Sequence, residues 1–397
     1  MGFASSPEIR EPDEAPTGGP IGALLSAWRV GRCLTPVDLA EHAGVSTKDI
    51  SRWETGQDWV DRRGVLAVLA NTLRIDPTEL TGQPYSPAGE QHAAVRAVAF
   101  HLRRHLAEPP RTPARTAESA DDLAALLRTA VAAEEAGDER ALALALPELI
   151  RAADHVVPQL PTPASDERTQ ELRVHAHVLA AGLLRRLGYR DLGWTILHRA
   201  RPGAPATLAV LLEEVRLLID LGSPEYALAR AARAEHIAGG NAELSALTAF
   251  AHAMAGRREQ AEQLLAAAVR RARSERDAAV LAVARAAAAV EYGAPDEAAE
   301  YARAAAARTA LRPVERAQVL LISAGAAARV GDTARAVTDL VEAEAIAPLR
   351  VRLDPFAREL LSALASRADT PAVADAVHPI AERAGLAPPS RQTRRMT

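Results

Sequence analysis

The stretch GVSTKDISRWETG, residues 44–56, decides the fold of the N-terminal region. The spacing from Ala40 to Gly44 to Ile50 suits two short helices that meet at a tight turn. A small side chain at Ala40 lets the helices approach, Gly44 permits a left-handed backbone, and Ile50 supplies a buried inner face. The stretch therefore predicts a helix, a tight turn and a second helix with a polar outer face.

Helix start signals accompany this pattern. Thr35 followed by Pro36 predicts the beginning of the first helix, and Ser46 predicts the beginning of the second. Around them, residues 20–86 show the pattern of five short helices with polar turns, which together form one small domain. Residues 1–19 are acidic and contain interspersed proline and glycine, so we expect a disordered segment before that domain.

The composition limits the class of protein. The chain has 397 residues, of which 48% are hydrophobic and only 3% are aromatic, and its net charge is −4. Because alanine, leucine and arginine dominate, an all-α chain of two or three domains is expected. There is one cysteine, Cys33, and no run of 18 apolar residues. We therefore expect a cytoplasmic protein with no disulfide and no membrane association.

A helical pattern recurs in the C-terminal two thirds of the chain. A glycine ends a helical run at intervals of 34, 34, 37 and 38 residues: Gly188, Gly222, Gly256, Gly293 and Gly331. A small residue follows each glycine after five positions: Gly193, Ala227, Ala261, Ala298 and Ala336. Seven residues later, two helical turns on, an alanine stands on the same face: Ala200, Ala234, Ala268, Ala305 and Ala343. The spacing predicts stacked helical hairpins.

These hairpins resemble tetratricopeptide repeats, most closely over residues 165–350. The N-terminal pattern, with RIDPTELTG at 74–82, resembles the Xre family of repressor- and Cro-like bacterial regulators. The combination is similar to peptide-responsive regulators of Gram-positive bacteria and to related regulators of actinobacteria.

The resemblance implies an all-α chain in which a five-helix helix-turn-helix domain, at 20–86, precedes a tetratricopeptide-like α-solenoid at 120–387. A helix near 90–107 and a proline-rich linker, together 87–119, connect the two. Residues 388–397 form a basic tail.

The resemblance to Xre regulators also assigns roles to residues of the first domain. In such domains the start and outer face of the second motif helix enter the major groove of DNA. Base-reading positions here are Thr47, Lys48, Ser51 and Arg52, and phosphate-binding positions are Thr35 and Ser46.

Two further positions in this domain bear on the family pattern. Arg29 and Glu54 match an ion pair of the family that orients the recognition helix. Cys33 stands where the family often has glycine, so we expect that turn to be accommodated in another way.

The charge of the first domain favours two copies on the DNA. Residues 20–86 hold seven positive and eight negative side chains, so a single copy should bind DNA weakly and with strong salt dependence. We therefore expect a homodimer on an inverted-repeat operator of double-stranded DNA.

In a tetratricopeptide superhelix the first helix of each pair lines the concave groove. The corresponding positions are mostly apolar, with a few arginines: His175, Val178, Arg185, Leu212, Arg216, Glu243, Phe250, Val283 and Gln318. Such a groove suits an extended peptide, or an acidic amphiphile whose carboxylate an arginine clamps. By analogy with the regulators, we expect the repeats to dimerise and bind this signal, and the chain to act as a repressor.

The alternative is a scaffold that does not bind DNA and whose repeats hold partner proteins. His101 and His105 lie one helical turn apart, but no third ligand accompanies them, so no metal is expected. The sequence shows no phosphate-binding loop, no nucleophile elbow and no paired-carboxylate site. We therefore expect neither an enzyme nor a cofactor.

Overall fold

The computed structural model describes residues 19–108, 119–156, 163–200, 207–368 and 370–386. Within these ranges the chain forms 21 α-helices and no strand, which confirms the all-α expectation. The acidic segment expected before residue 19 and the basic tail at 388–397 lie outside the described residues. None of the described helices combines the length and apolarity that crossing a membrane requires.

The first five helices form a small domain, which we call the head. They are α1 (Pro20–Gly31), α2 (Pro36–Ala43), α3 (Thr47–Glu54), α4 (Arg63–Leu73) and α5 (Pro77–Thr81). Its core is made by aliphatic side chains from all five helices and includes Ile50. Gly44 has φ 65°, and the hydroxyls of Thr35 and Ser46 accept hydrogen bonds from the backbone N–H groups of Asp38 and Asp49. The predicted turn and both predicted caps are therefore present.

The turn after α1 uses a left-handed backbone although it has no glycine at that point. Cys33 has φ 56°, and its N–H donates to the carbonyl of Val30. The expectation that this turn would be accommodated in another way is wrong, because the cysteine adopts the conformation that glycine takes more easily. For a residue with a side chain this conformation costs about 1–2 kcal/mol.

The helices after the head pair into hairpins. After α6 (Glu90–Ala107) come α7 (Ala120–Ala136), α8 (Glu139–His155), α9 (Pro163–Arg186), α10 (Arg190–Arg199), α11 (Leu208–Asp220), α12 (Pro224–Ala238), α13 (Ala242–Met254), α14 (Arg258–Arg271), α15 (Glu275–Glu291), α16 (Pro295–Ala306), α17 (Pro313–Arg329) and α18 (Thr333–Ile346). The last helices of the described residues are α19 (Pro348–Leu353), α20 (Pro355–Ser366) and α21 (Pro371–Arg383).

The repeat glycines make the turns inside five of these hairpins, from α9–α10 to α17–α18. All five have positive φ, between 68° and 86°, as the spacing predicts. The small residues that follow them are buried between the paired helices, and Ala227, Ala261 and Ala298 are at most 1% exposed. Because these side chains are small, the two helices of each hairpin approach each other closely.

Two features go beyond a simple row of hairpins. The helix expected as a connector, α6, packs against α8, and its Val95 and Leu102 lie in the core shared by α7, α8 and α9. The row also closes on itself, since α7 contacts α17 and α8 contacts α19. Across this closure Arg350 donates to Glu139 at 2.6 Å, and Glu139 also pairs with Arg186. These contacts close the row of hairpins around a central space.

Candidate nucleic-acid interface

The outer face of α3 is open to solvent. Thr47, Lys48 and Ser51 are exposed, and so are Thr35 and Ser46 at the N-termini of α2 and α3. The ammonium of Lys48 has no hydrogen-bond or ion-pair partner among the described residues. The inner face of the same helix is buried through Ile50 and Trp53. The residues predicted to bind DNA are therefore accessible, and Arg52 is partly exposed.

Arg52 is held by an ion pair. Its guanidinium lies 3.1 Å from a carboxylate oxygen of Asp58, in the loop between α3 and α4. Asp58 in turn pairs with Arg329 at the end of α17. Arg52 must therefore leave or share Asp58 to reach a base, whereas Lys48 is already free.

The orientation of α3 within the head depends on one bidentate pair. Arg29 of α1 donates to the two carboxylate oxygens of Glu54 at 2.6 and 2.8 Å, as the resemblance implied. Arg29 also donates to the carbonyl of Leu34, and the bond to Glu54 raises the pKa of the guanidinium. Both side chains are about 90% buried, so the pair holds α3 against α1 with little freedom. Close packing adds to this, because a Cβ at Gly22 would lie 2.0 Å from the carbonyl of Trp53.

The repeats cap two helices of the head. α1 and α4 have no side-chain cap of their own, whereas α2, α3 and α5 do. Glu359 of α20 accepts a hydrogen bond of 2.6 Å from the N–H of Ile21, and Glu291 accepts from Arg63 and Gly64 at 2.8 and 2.9 Å. Two glutamates of the repeats thus satisfy the orphan N–H groups of helices that belong to another domain.

Aromatic side chains cross the boundary in both directions. Trp59 of the head lies in the core of the C-terminal hairpins, and Phe356 of α20 packs against the core of the head. Arg329 lies 4.0 Å from the centre of the Trp59 ring and donates to Asp61 and to the carbonyl of Trp59, both at 2.8 Å. Hydrophobic contacts, ion pairs and helix caps therefore hold the head against the repeats.

The turns of the repeats meet the head at close range. A Cβ at Gly188 would lie 2.5 Å from Cβ of Gln83, and one at Gly222 would lie 2.7 Å from Cβ of Ala67. These glycines thus serve the hairpin turn and the contact with the head at once.

Docking also changes the charge that the head presents. Asp58 and Asp61 pair with Arg329, and Asp76 pairs with Arg190. Three of the eight acidic side chains of the head are thereby paired with two arginines of the repeats, while Arg63 of the head pairs with Asp220 of the repeats. Docking thus exchanges charges in both directions across the boundary between the head and the repeats.

A second site candidate is the space inside the closed row of repeats, which we call the groove cavity. Its volume is about 600 Å³. All nine groove positions named from the sequence line it: His175, Val178, Arg185, Leu212, Arg216, Glu243, Phe250, Val283 and Gln318. Such a volume is typical of ligand sites in proteins.

The arginines of the groove cavity are already engaged. Arg185 donates to Glu213 and Asp220, both at 2.7 Å, and Arg216 pairs with Glu213 and Glu243. Burial raises the pKa of Asp220, but attraction to the surrounding arginines outweighs this effect and lowers the pKa to about 2. A free arginine that clamps a carboxylate, as the sequence suggested, is therefore not available without exchange of an ion pair. The lining favours a ligand without a strong net charge.

The two histidines one helical turn apart, His101 and His105, do not form a metal site with other described residues. In the part of the chain that the structure describes, no group of three histidine, cysteine, aspartate or glutamate side chains is placed to hold an ion. His101 is exposed, whereas His105 contacts Asp154 at 2.9 Å, beside the buried His177.

Sequence reasoning did not find the residues that join the head to the repeats. Glu291, Glu359, Arg329 and Trp59 carry no local motif, because each acts on a partner more than 200 residues away. The missing caps of α1 and α4 were a usable signal, since an uncapped helix N-terminus that becomes buried requires an acceptor from elsewhere.

Comparison with known proteins supports the assignment of the head. No curated protein matches the sequence. Among solved structures, the crystal structure of Bacillus thuringiensis PlcR in complex with the peptide PapR7 and DNA aligns with 84% of this chain and 95% of that chain, at 13% identity and a TM-score of 0.30. Residues 20–81 match the family model described as a helix-turn-helix domain, so the head of this chain is a helix-turn-helix domain.

Proposed function

We propose that the chain is a sequence-specific DNA-binding transcriptional regulator of the Xre type, acting in the cytoplasm as a repressor. The main support for the proposal is that the outer face of α3 is exposed to solvent, although other surfaces of the head contact the repeats. Contacts to the repeats involve the N-terminus of α1, the loop at 57–63, α4 and Asp76. The face that would enter the major groove stays accessible.

In this proposal Lys48 and Arg52 donate to base edges, and Thr47 and Ser51 supplement them. Each good bidentate contact to guanine contributes about 1–3 kcal/mol of discrimination between bases. Backbone N–H groups near Thr35 and Ser46 bind phosphate at the N-termini of α2 and α3. The chain binds as a homodimer to an inverted repeat, because one head offers too few cations for tight binding.

The groove cavity is the proposed signal site. Its paired charges and apolar walls favour an extended peptide or a small molecule without strong net charge. A ligand there can alter DNA binding only if it prefers one arrangement of the repeats and head. The connected pairs Arg52–Asp58 and Asp58–Arg329 supply a route, because movement of α17 changes how Asp58 holds Arg52.

The test is selection of bound fragments from sheared genomic DNA at near-physiological salt. Wild type is compared with a Lys48→Ala/Arg52→Ala double variant and with Arg233→Ala, which removes an exposed arginine of α12, a helix that packs against α11 and α13. We expect wild type and the Arg233 variant to enrich an inverted repeat and the double variant to enrich nothing. Light scattering of the purified chain should give the mass of a dimer.

Failure to enrich DNA, both alone and with cell extract added, contradicts the regulator. If the repeats then capture partner proteins equally well from wild type and double variant, the chain is a scaffold. A monomer that binds the selected operator tightly contradicts the dimer alone.

A further inference from the structure

A second cavity, which we call the interface cavity, lies between the head and the repeats. Its volume is about 510 Å³. The head contributes Asp49 and Trp53 of α3 together with residues 58–63, and the repeats contribute residues of α13, α15, α16, α17 and α20. Ligand sites occur preferentially at such domain boundaries and in this range of volume. The function proposed above assigns no role to this cavity.

Aromatic side chains are concentrated in its walls. The whole chain has only 13 of them, and five line this cavity: Trp53, Trp59, Phe250, Tyr292 and Phe356. Aliphatic side chains, among them Leu321, Ile322 and Leu360, add to the apolar lining. Because aromatic residues are so scarce elsewhere, their presence here is not a consequence of composition, and the walls suit a flat aromatic body.

The charged lining is acidic. Five carboxylates face three guanidinium groups: Asp49, Asp58, Asp61, Glu291 and Asp354 against Arg62, Arg63 and Arg329. Arg329 pairs with Asp58 and Asp61, backbone N–H groups bond Glu291, and Asp354 caps α20. The carboxylate of Asp49 has no hydrogen bond or ion pair with any residue that the structure describes.

The aromatic walls of this cavity already accept cations. Arg329 lies over Trp59 at 4.0 Å from the ring centre, and Arg63 lies over Phe356 at 4.9 Å. Cation–π attraction strengthens when the cation is withdrawn from water, as it is here. One cation of the lining, Arg62, has no carboxylate partner in the described part of the chain. A test must therefore distinguish a cationic ligand from an anionic one.

We infer that the interface cavity is a second ligand site, and that it takes a small aromatic cation whose charged group pairs with Asp49. The aromatic body lies among Trp53, Phe250 and Phe356. Since Asp49 and Trp53 belong to α3, the ligand contacts the recognition helix directly, from the side opposite to its exposed face. The interface cavity borders the groove cavity and shares six lining residues with it: Arg63, Phe250, Ala287, Gln318, Leu321 and Asp354. Asp49, with its unpaired carboxylate, lines the interface cavity only.

The experiment uses the full-length chain without DNA and three probes that share one aromatic body: 1-naphthylmethylammonium, 1-naphthylmethanol and 1-naphthylacetate. Isothermal titration should show that the cation binds about tenfold more tightly than the neutral alcohol, and the anion more weakly than both. Asp49→Asn should reduce the affinity of the cation to that of the alcohol and leave the affinity of the alcohol unchanged.

A pair of cavity-filling variants identifies the site. A Cβ added at Gly325 of α17 meets no atom within 4 Å, and this residue lines the interface cavity only, so the side chain of Gly325→Leu begins in open space beside that cavity and occupies part of it. Ala284→Leu, which fills the groove cavity instead, is the matched control. Gly325→Leu should abolish binding of the cation and Ala284→Leu should preserve it.

Three outcomes overturn the inference: no probe binds, the anion binds most tightly, or Ala284→Leu abolishes binding while Gly325→Leu does not. Because DNA is absent, none of these results depends on whether the chain is a transcriptional regulator.

Discussion

The carboxylate of Glu359 accepts a hydrogen bond of 2.6 Å from the backbone N–H of Ile21, across 338 residues of sequence. Glu359 is 1% exposed, and it is the acceptor that the first helix of the head lacks in its own sequence. Glu291 does the same for α4. The helix-turn-helix domain is thus completed by the repeats, so a change in the repeats can reach the head through its helix N-termini.

The pH dependence of stability should show this contact. Burial raises the pKa of Glu359 from 4.5 to about 7, against the opposing hydrogen bonds from Ile21 and Val60. The folded state therefore binds more protons than the unfolded state between these values. The stabilisation that results is fully present below pH 4.5 and is lost as the pH rises through 7, by up to about 3 kcal/mol.

Urea unfolding of wild type and Glu359→Gln at pH 5 and pH 8 measures this effect. Relative to the variant, wild type should lose about 2–3 kcal/mol of unfolding free energy between the two pH values. Other titrating groups cancel in this comparison. Parallel pH profiles for the two proteins would show that the carboxyl does not titrate in this range.

Replacement of Arg329 by lysine should loosen the head. Lysine keeps the charge but cannot bond Asp58, Asp61 and the carbonyl of Trp59 together, so we expect a loss of about 2 kcal/mol of docking free energy. Cys33 is the only cysteine and is exposed, so a fluorophore on it reports the motion of the head. Its anisotropy should fall in Arg329→Lys.

The control for this measurement is Arg335→Lys. Arg335 of α18 pairs with Asp339 and does not contact the head. An equal fall in anisotropy in both variants would mean that the chain as a whole has loosened, and that Arg329 has no special part in docking.

Lys48→Ala should weaken DNA binding more than Arg52→Ala. Lys48 is free, whereas Arg52 must give up Asp58 at 3.1 Å to reach DNA, so part of its gain is cancelled. Fluorescence titration of the selected operator should show a loss of about 1–3 kcal/mol for Lys48→Ala. A larger loss for Arg52→Ala than for Lys48→Ala would show that the Arg52–Asp58 pair does not restrain Arg52. The control, Arg233→Ala, should change neither the affinity for DNA nor its salt dependence.

The Arg29–Glu54 pair should stabilise the head. Glu54→Gln leaves a mostly buried guanidinium without its bidentate partner, which should lower the free energy of unfolding by about 2–4 kcal/mol. Urea unfolding measures the loss. Arg29→Met combined with Glu54→Leu should be less destabilised than the single variant, because no unpaired charge stays buried; equal losses would assign the effect to packing alone.

Enlargement of a repeat alanine should destabilise the solenoid. Ala249 is fully buried where α13 packs against neighbouring helices, so Ala249→Leu should cost about 1–3 kcal/mol. Ala266→Leu on the exposed face of α14 is the control and should change the unfolding free energy little. The melting temperature of both variants, measured by circular dichroism, checks the difference.

Much of the local structure could be predicted because its causes lie close together in the sequence. The caps at Thr35 and Ser46 and the left-handed Gly44 depend on neighbours within a few residues. The repeat glycines and alanines could be found because the same packing requirement recurs five times. The nine groove positions, which the resemblance to tetratricopeptide repeats implies, line one cavity.

The helices, their hairpins and the polar face of α3 follow from the sequence, since these depend on propensity, capping and periodicity. The docking of the head, the pairing of Arg52 with Asp58 and the pairing of the groove arginines follow from the three-dimensional arrangement of the helices. The physical reason is that a buried charge or an uncapped helix end requires a partner but does not specify one. That partner is chosen by the packing of segments that are hundreds of residues apart, as Ile21 and Glu359 are.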